Sequence, residues 1–159
     1  MQTSTRDTQH SDTLQRLSGY CRGEMSAVEA YAQVLESGIL TRFDARLRQI
    51  QSSHQTRVDL LRARIGLLGG EPPMSSGAWG AFARVMEKAA TVAGEQAALA
   101  ILEEGENHGL NVYRTHNAEL DASTYVLVNQ RLLPLQLESR RALLAMKRPS
   151  PAAGLSARG

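Results

Sequence analysis

Two glutamates stand at matching positions in two copies of a short motif. The stretch GEMSAVEAY at residues 23–31 and the stretch GENHGLNVY at residues 105–113 share a glycine, a glutamate, an aliphatic residue and a tyrosine, at an offset of 82 residues. Glu24 and Glu106 fall among apolar residues at helical spacing, so each is predicted to lie in a buried seam. A buried carboxylate is costly unless a cation or hydrogen bonds compensate it. Such a pair therefore suits either a bound metal or an internal ion pair.

A second repeated spacing adds further polar residues to the two glutamates. His54 and Arg57 form an i, i+3 pair whose first member lies 30 residues after Glu24, and a similar pair lies 30 residues after Glu106. Residues at i and i+3 share one helix face, so both members of a pair project to the same side. The predicted polar cluster consists of Glu24, His54, Arg57, Glu106, Gln136 and Ser139.

One interpretation of the polar cluster is a metal site with a reduced ligand set. Imidazole and carboxylate ligands suit iron, manganese or zinc, and the protein would then serve a redox or stress-related role. The candidate ligands are Glu24, His54, Glu103 and Glu106, with Tyr31 and Tyr113 nearby on the same faces. Arg57 cannot be a ligand because its guanidinium stays protonated and offers only donors.

The other interpretation is that Arg57 has replaced the metal. Its guanidinium would lie between Glu24 and Glu106 and donate paired hydrogen bonds to carboxylates. His54 and Gln136 would complete a satisfied network. This interpretation accounts for every residue of the polar cluster, and it predicts a non-catalytic scaffold or interaction protein with no catalytic residue and no cofactor.

Four helices are predicted to position these residues. The sequence favours a first helix that is capped by Ser11 or Asp12, and a fourth helix that is capped by Asp121. The predicted helices cover residues 12–37, 41–68, 95–119 and 122–147, with a shorter helix at about 78–93 that ends at Gly94. The domain is expected to span residues 11–147, between a flexible N-terminus at 1–10 and a flexible tail at 148–159.

The lengths of the loops predict how these helices are arranged. Short connections within the first and second pairs make their helices antiparallel neighbours, while the long middle connection can cross the bundle from end to end. The sequence therefore predicts an all-α, ferritin-like four-helix bundle, built from two repeated antiparallel helix pairs with a helical crossover between helices two and three.

Three stretches carry a resemblance to a known family. RGEMSAVEAY, LGGEPPMSSGAWGAFA and LEEGENHGLNVY resemble a bacterial ferritin-like family that is catalogued as domain of unknown function 2383, over about residues 11–146. The resemblance implies a ferritin-like fold and di-metal chemistry. Proteins of this kind often show His where this chain has Arg57 and Ser139, which implies that a di-iron oxidase or peroxidase site survives here only in degenerate form.

The composition of the chain indicates which partners and which cellular location to expect. The 18 basic and 16 acidic residues nearly cancel, and the arginines of residues 42–64 form at most a weak basic stripe, so binding to nucleic acid is not expected. Cys21 is the only cysteine, which suits a reducing compartment. The polar first dozen residues do not read as a signal peptide, and no apolar run is long enough to span a membrane. A cytoplasmic protein is predicted.

The middle connection also suggests an assembly surface. Trp79, Phe82, Val85 and Met86 form one apolar stripe at helical spacing. Such a stripe must cover the bundle or meet another protein. The sequence therefore predicts a homo-oligomer or a protein partner that docks in this region.

Overall fold

The computed structural model describes residues 2–77, 80–115 and 117–148, and within them the chain forms helices and turns without any strand. The α-helices are α1 (Gln2–Ser37), α2 (Asp44–Leu67), α3 (Gly80–Arg114), α4 (Ala122–Leu127) and α5 (Leu133–Met146). Short 3₁₀ turns at Thr41–Phe43 and Asn117–Glu119 precede α2 and α4, and a π-turn at Val128–Leu132 joins α4 to α5. Residues 122–146 thus form one fourth helix. The predicted all-α bundle is confirmed.

The first helix pair matches the prediction except at its start. Gly38 and Gly69 take positive φ angles of 66° and 75° and end α1 and α2 in the left-handed conformation that glycine adopts without strain. The helix α1 begins at Gln2, ahead of the predicted cap at Ser11 or Asp12. Residues 2–10 contain no proline or glycine that would interrupt a helix, and the side chains at 7–12 are exposed. Residues 2–10 therefore continue α1 ahead of the predicted cap.

The second helix pair begins after a break at the predicted place. Gly94, with φ 77° and ψ −175°, interrupts α3 at the predicted boundary between the crossover helix and helix three. The helix α3 ends at Arg114, earlier than predicted, because a 3₁₀ turn follows before the next cap. The Asp121 carboxylate accepts hydrogen bonds from the backbone N–H groups of Ser123 and Thr124, which confirms it as the cap of the fourth helix.

Contacts at the helix ends define the connectivity of the bundle. Arg64 near the end of α2 pairs with Asp121 at 2.6 Å, and Arg42 before the start of α2 pairs with Glu95 at 2.8 Å. The helix α2 is therefore antiparallel to the fourth helix and parallel to the part of α3 that follows Gly94. The chain between α2 and Gly94 must consequently join opposite ends of the bundle.

The predicted assembly stripe cannot be placed in this architecture. Ala78, Trp79 and the side chains of residues 80–93 lie outside the described residues, as do residues 149–159. No helix in the described part of the chain has a stretch that is both apolar and long enough to cross a membrane.

Two apolar layers fill the bundle, one toward each end. The first layer surrounds Leu47 and Leu99, and the second surrounds Leu61 and Leu132. Between them, in every helix, lies a short interval that contains buried polar residues. The apolar layers therefore enclose a polar one at mid-bundle.

The fourth helix is not the uninterrupted α-helix that was predicted. The N–H of Leu133 bonds to the carbonyl of Val128, five residues back, which is the hydrogen bond of a π-turn. Pro134 lacks an N–H, and its ring clashes with the carbonyl of the residue four positions earlier in a regular α-helix. The wider turn just before Pro134 accommodates it, directly ahead of Gln136 in the polar cluster.

Candidate functional site

The structure brings the six residues of the polar cluster together between the two apolar layers. Glu24 comes from α1, His54 and Arg57 from α2, Glu106 from α3, and the remaining two residues from α5. All six are buried, with Arg57 0% exposed and Glu106 2% exposed. Charged groups that are buried to this extent lose most of their hydration, so they must compensate one another.

His54 spans the two glutamates. Its Nδ1 lies 2.6 Å from Glu24 Oε2, and its Nε2 lies 3.0 Å from Glu106 Oε1. The sequence had placed Arg57 between the two carboxylates, and that prediction is wrong. The shorter imidazole reaches both carboxylates at once, whereas the described ion pair of Arg57 is with Glu24 alone.

Arg57 binds on the other side of Glu24. Its Nε lies 2.9 Å from Glu24 Oε1, and this contact is an ion pair without hydrogen-bond geometry. Its Nη1 donates to Ser53 Oγ at 2.9 Å and to Ser139 Oγ at 3.3 Å. Ser53 was not predicted as part of the site, although it lies four residues before Arg57 on the same helix face. The guanidinium is thus held by one acid and two hydroxyls.

The protonation of His54 follows from the charges around it. Burial alone would lower the pKa of His54, but the Glu24 charge and hydrogen bonds to Glu106 and Glu24 raise it above the usual value. Arg57 Nη2 also approaches Nδ1 at 2.6 Å and opposes the proton there. With His54 neutral, the two carboxylates and Arg57 would leave one uncompensated negative charge. An imidazolium makes the polar cluster neutral and donates to both carboxylates.

Glu24 is a strongly stabilised carboxylate. Burial would raise its pKa, but the charges of Arg57 and His54, together with hydrogen bonds from His54 and Tyr113, lower the pKa to about 2. The ionised form is therefore favoured over the whole physiological range.

Two tyrosines tie the helix pairs together. Tyr31 donates to Glu106 Oε1 at 2.7 Å, and Tyr113 donates to Glu24 Oε1 at 2.5 Å. Each tyrosine thus binds the glutamate of the other repeat rather than the one in its own motif. Burial, followed by the neighbouring carboxylate charge, raises the pKa of both phenols well above the usual value. Both hydroxyls therefore stay protonated as donors.

Gln136 completes the environment of Glu106. Its Nε2 donates to Glu106 Oε2 at 2.7 Å and to the Glu106 carbonyl at 3.0 Å. The Oε1 atom of Gln136 is buried, and no described residue donates a hydrogen bond to it. Glu106 thus receives donors from His54, Tyr31 and Gln136, but no arginine among the described residues pairs with it.

The predicted metal-ligand set does not assemble into a coordination site. Glu103 pairs with Lys147 near the surface and is not part of the polar cluster. Both ring nitrogens of His54 are directed at carboxylates, so a protonated ring has no lone pair for a cation. Within residues 2–77, 80–115 and 117–148, no group of three or more His, Cys, Asp or Glu side chains is arranged to hold a metal ion. The residues present do not fit a two-metal centre.

Comparison of the chain with protein-family models, with curated proteins and with solved structures finds no match.

Proposed function

We propose that this protein is a ferritin-like bundle whose di-metal position is occupied by an internal ion-pair network, and that it serves as a non-catalytic scaffold or interaction protein. The observation that carries this proposal is the contact of His54 with both Glu24 and Glu106, beside a fully buried Arg57. Two cations and two carboxylates neutralise one another, so the polar cluster is complete without a bound ion.

The ferritin-like assignment is supported by the connectivity and by the repeat. The helix α2 runs parallel to the part of α3 after Gly94, as a four-helix bundle with one long crossover requires. Glu24 and Glu106 occupy equivalent places in the repeat. Glu24 contacts both members of the i, i+3 pair on the following helix, and Glu106 contacts the first member of its pair, Gln136. These are the positions that ligands occupy in di-metal bundles, and they support the proposed kinship with domain of unknown function 2383.

The electrostatics of the site support a non-catalytic role. A general acid or base works best when its pKa lies near the operating pH. The pKa of Glu24 is lowered to about 2, and the pKa values of Tyr31 and Tyr113 are raised well above the usual value. These shifts hold each group in a single protonation state, as expected of a structural network.

A metal-binding redox function is the alternative. One observation favours it: the side chains of Glu24, His54 and Glu106 already touch, so a cation that displaced the His54 proton would find an imidazole nitrogen and two carboxylates together. Iron, manganese or zinc suits such donors.

A thermal-unfolding series separates these two functions. Wild type, Arg57→His and the double variant Arg57→His, Ser139→His are each unfolded with and without Mn²⁺, Fe²⁺ or Zn²⁺. A metal that binds only the folded state raises the transition temperature. We expect no shift for wild type and a clear shift for the double variant, which regains two imidazole ligands.

The matched control for this series is Ser139→Ala, which alters the same position without supplying a ligand. Elemental analysis of wild-type protein that was purified without chelators provides an independent measurement. A metal-dependent rise in the wild-type transition, or stoichiometric metal in the purified protein, would favour the metal-binding alternative over the ion-pair network.

A further inference from the structure

Met25 on α1 places its sulfur against the guanidinium of Arg62 on α2. The Nη2 atom of Arg62 lies 4.0 Å from Met25 Sδ and donates to the Pro73 carbonyl at 3.2 Å. Met25 packs on the second apolar layer but is only partly buried, so part of its side chain remains exposed. The contact therefore joins α1, α2 and the connection after α2 at the border of the apolar layer.

Arg62 carries more donors than the described residues use. A guanidinium has five N–H groups, and a thioether is only a weak acceptor. The Nε of Arg62 is buried, and no described residue accepts a hydrogen bond from it. Arg57 and Arg64 on the same helix each pair with an acid, whereas among the described side chains no carboxylate pairs with Arg62. Buried donors normally have partners, so this arginine has capacity for one more strong acceptor.

Oxidation of Met25 would supply that acceptor at the right place. A peroxide converts a thioether to a sulfoxide, which is polar. The added oxygen is bonded directly to Sδ. On the side that faces Arg62 it shortens the 4.0 Å gap toward hydrogen-bond distance without movement of the guanidinium. A hydrogen bond from a charged donor is also stronger than one between neutral groups.

We propose that Met25 is an oxidative modification site, at which hydrogen peroxide forms a sulfoxide whose oxygen is bound by Arg62. In this reaction the O–O bond of the peroxide breaks and an S–O bond forms. The sulfur loses two electrons, and the peroxide is reduced to water. Arg62 keeps the product between α1 and α2, where an unpartnered sulfoxide would disrupt the apolar layer. The site is separate from the polar cluster and goes beyond the proposed scaffold function.

The other sulfur atoms of the described residues do not combine access with a nearby cation in this way. Met74 is 88% exposed, so a sulfoxide there is hydrated, and Met146 is 3% exposed. Cys21, one turn before Met25, is 0% exposed, and burial raises the pKa of its thiol. The thiolate that would react is therefore disfavoured. Met25 is the described sulfur residue that is partly accessible and adjacent to an arginine with unused donors.

Treatment of the full-length protein with hydrogen peroxide, followed by peptide mass spectrometry, tests the modification. We expect Met74 to be oxidised first, Met25 next and Met146 last, while circular dichroism shows that the protein stays folded. Binding of the sulfoxide is observed through the side-chain Nε–H signal of Arg62 in two-dimensional NMR spectra, which is assigned by its loss in Arg62→Lys. We expect this signal to move when wild type is oxidised and to stay in place when Met25→Leu is oxidised.

A double-mutant cycle measures the contribution of Arg62. Wild type, Met25→Leu, Arg62→Leu and the double variant are unfolded in urea before and after oxidation. Met25→Leu keeps every other methionine and so corrects for oxidation elsewhere. We then expect oxidation of Met25 to lower the folding equilibrium constant at least about tenfold more in Arg62→Leu than in wild type, because a hydrogen bond from a charged donor is absent. The matched control is Arg48→Leu on the exposed face of the same helix, which should respond as wild type does.

Three results would overturn the proposal. The first is a Met25 that stays unmodified after Met74 and Met146 have reacted. The second is an Arg62 Nε–H signal that does not move on oxidation of wild type, or that moves equally in Met25→Leu. The third is an equal effect of Met25 oxidation in wild type and in folded Arg62→Leu. If Arg62→Leu does not fold, the NMR comparison of wild type with Met25→Leu decides the case. None of these results depends on whether the polar cluster binds metal.

Discussion

The two helix pairs of this protein supply the same acids but different partners for them. At mid-bundle the first pair contributes Glu24 and Tyr31, and the second contributes Glu106 and Tyr113, 82 residues later. At the next pair of equivalent positions, a histidine in α2 corresponds to Gln136 in α5, and a fully buried arginine corresponds to a serine. Each half of the repeat therefore contains one carboxylate of the polar cluster, and both cations lie in the first half.

This difference gives the halves opposite charge at their contact. With His54 protonated, the first pair carries two positive charges and one negative charge in the polar cluster, while the second carries only the charge of Glu106. Opposite charges attract strongly where water is excluded. The asymmetry thus holds together two helix pairs that are otherwise built alike.

The largest effect is expected from Arg57→Ala, which removes one of the two cations. Breaking a buried ion pair typically costs ~3–5 kcal/mol, because the remaining charge is left without compensation. We expect a loss of this size in the free energy of unfolding, measured by urea titration at neutral pH. The deficit should shrink in acid, where a carboxylate can be protonated instead.

The equivalent residue of the second pair gives the control for Arg57→Ala. Ser139→Ala removes only a hydroxyl, which accepts from Arg57 and donates to Ser53, so its expected cost is about 0.5–1.5 kcal/mol. Equal losses for the two variants would contradict the assignment of Arg57 as the compensating cation.

The free energy of unfolding should depend on pH through both Glu24 and His54. The pKa of Glu24 falls from 4.5 to about 2 on folding, so its contribution is complete above pH 4.5 and is lost as the pH falls toward 2. At ~1.4 kcal/mol per pKa unit, the loss is roughly 3 kcal/mol. The pKa of His54 is raised above 6.5, so its contribution is complete below pH 6.5 and is lost as the pH rises through the raised value.

Urea unfolding at a series of pH values measures both limbs of this profile. In Glu24→Gln the acid limb should become shallower, because the titrating carboxyl is gone. In His54→Gln, which makes α2 resemble α5 at this position, the alkaline limb should flatten. An acid limb of unchanged steepness in Glu24→Gln would show that other carboxyl groups cause the acid sensitivity.

The sequence predicted the frame of the site well because its repeat is exact in spacing. The 82-residue offset and the two 30-residue intervals located all six residues of the polar cluster on the correct helices. They could not show which cation spans the glutamates, since that depends on side-chain length: the imidazole of His54 fits between the carboxylates, and the longer Arg57 reaches Ser53 and Ser139.

Two other features, a cavity and a π-turn, could not be predicted from helical periodicity. A cavity between α1 and α3 is lined by glycines such as Gly19 and Gly23, which have no side chain and so add nothing to an apolar pattern. The π-turn at Val128–Leu132 changes the local residues per turn, and Pro134 was its only marker in the sequence. The sequence could not decide whether Glu103 is a ligand, because a residue at the edge of a seam can also face solvent; in the structure it pairs with Lys147.

The tyrosine contacts test how far the two halves remain equivalent. Tyr31→Phe and Tyr113→Phe each delete one hydrogen bond to a buried carboxylate, at an expected cost of about 1.5–3 kcal/mol. No arginine among the described residues pairs with Glu106, so the loss of Tyr31 should be the larger of the two. Differential scanning calorimetry of both variants measures this order, and a clearly larger loss for Tyr113→Phe would reverse the proposed asymmetry.

The smallest effect is expected from Pro134→Ala in the fourth helix. A proline inside a regular α-helix costs ~3 kcal/mol, but the π-turn already accommodates this one. We expect the free energy of unfolding to change by less than about 1 kcal/mol, with added hydrogen-exchange protection for the new amide at position 134. Stabilisation by about 3 kcal/mol would show instead that Pro134 strains the helix.

The crossed tyrosine contacts also bear on how the chain can be divided. Because Tyr31 binds Glu106 and Tyr113 binds Glu24, neither half can satisfy these contacts alone. If the chain is cut in the connection before Gly94, the first fragment keeps two cations and one carboxylate of the polar cluster. The second fragment keeps only the carboxylate of Glu106, without a cation to pair with it. A dimer of the second fragment would bring two Glu106 carboxylates together, whereas in a pair of unlike fragments the charges of the polar cluster cancel. We therefore expect the two halves, when they are produced separately, to associate with each other rather than to form dimers of one kind.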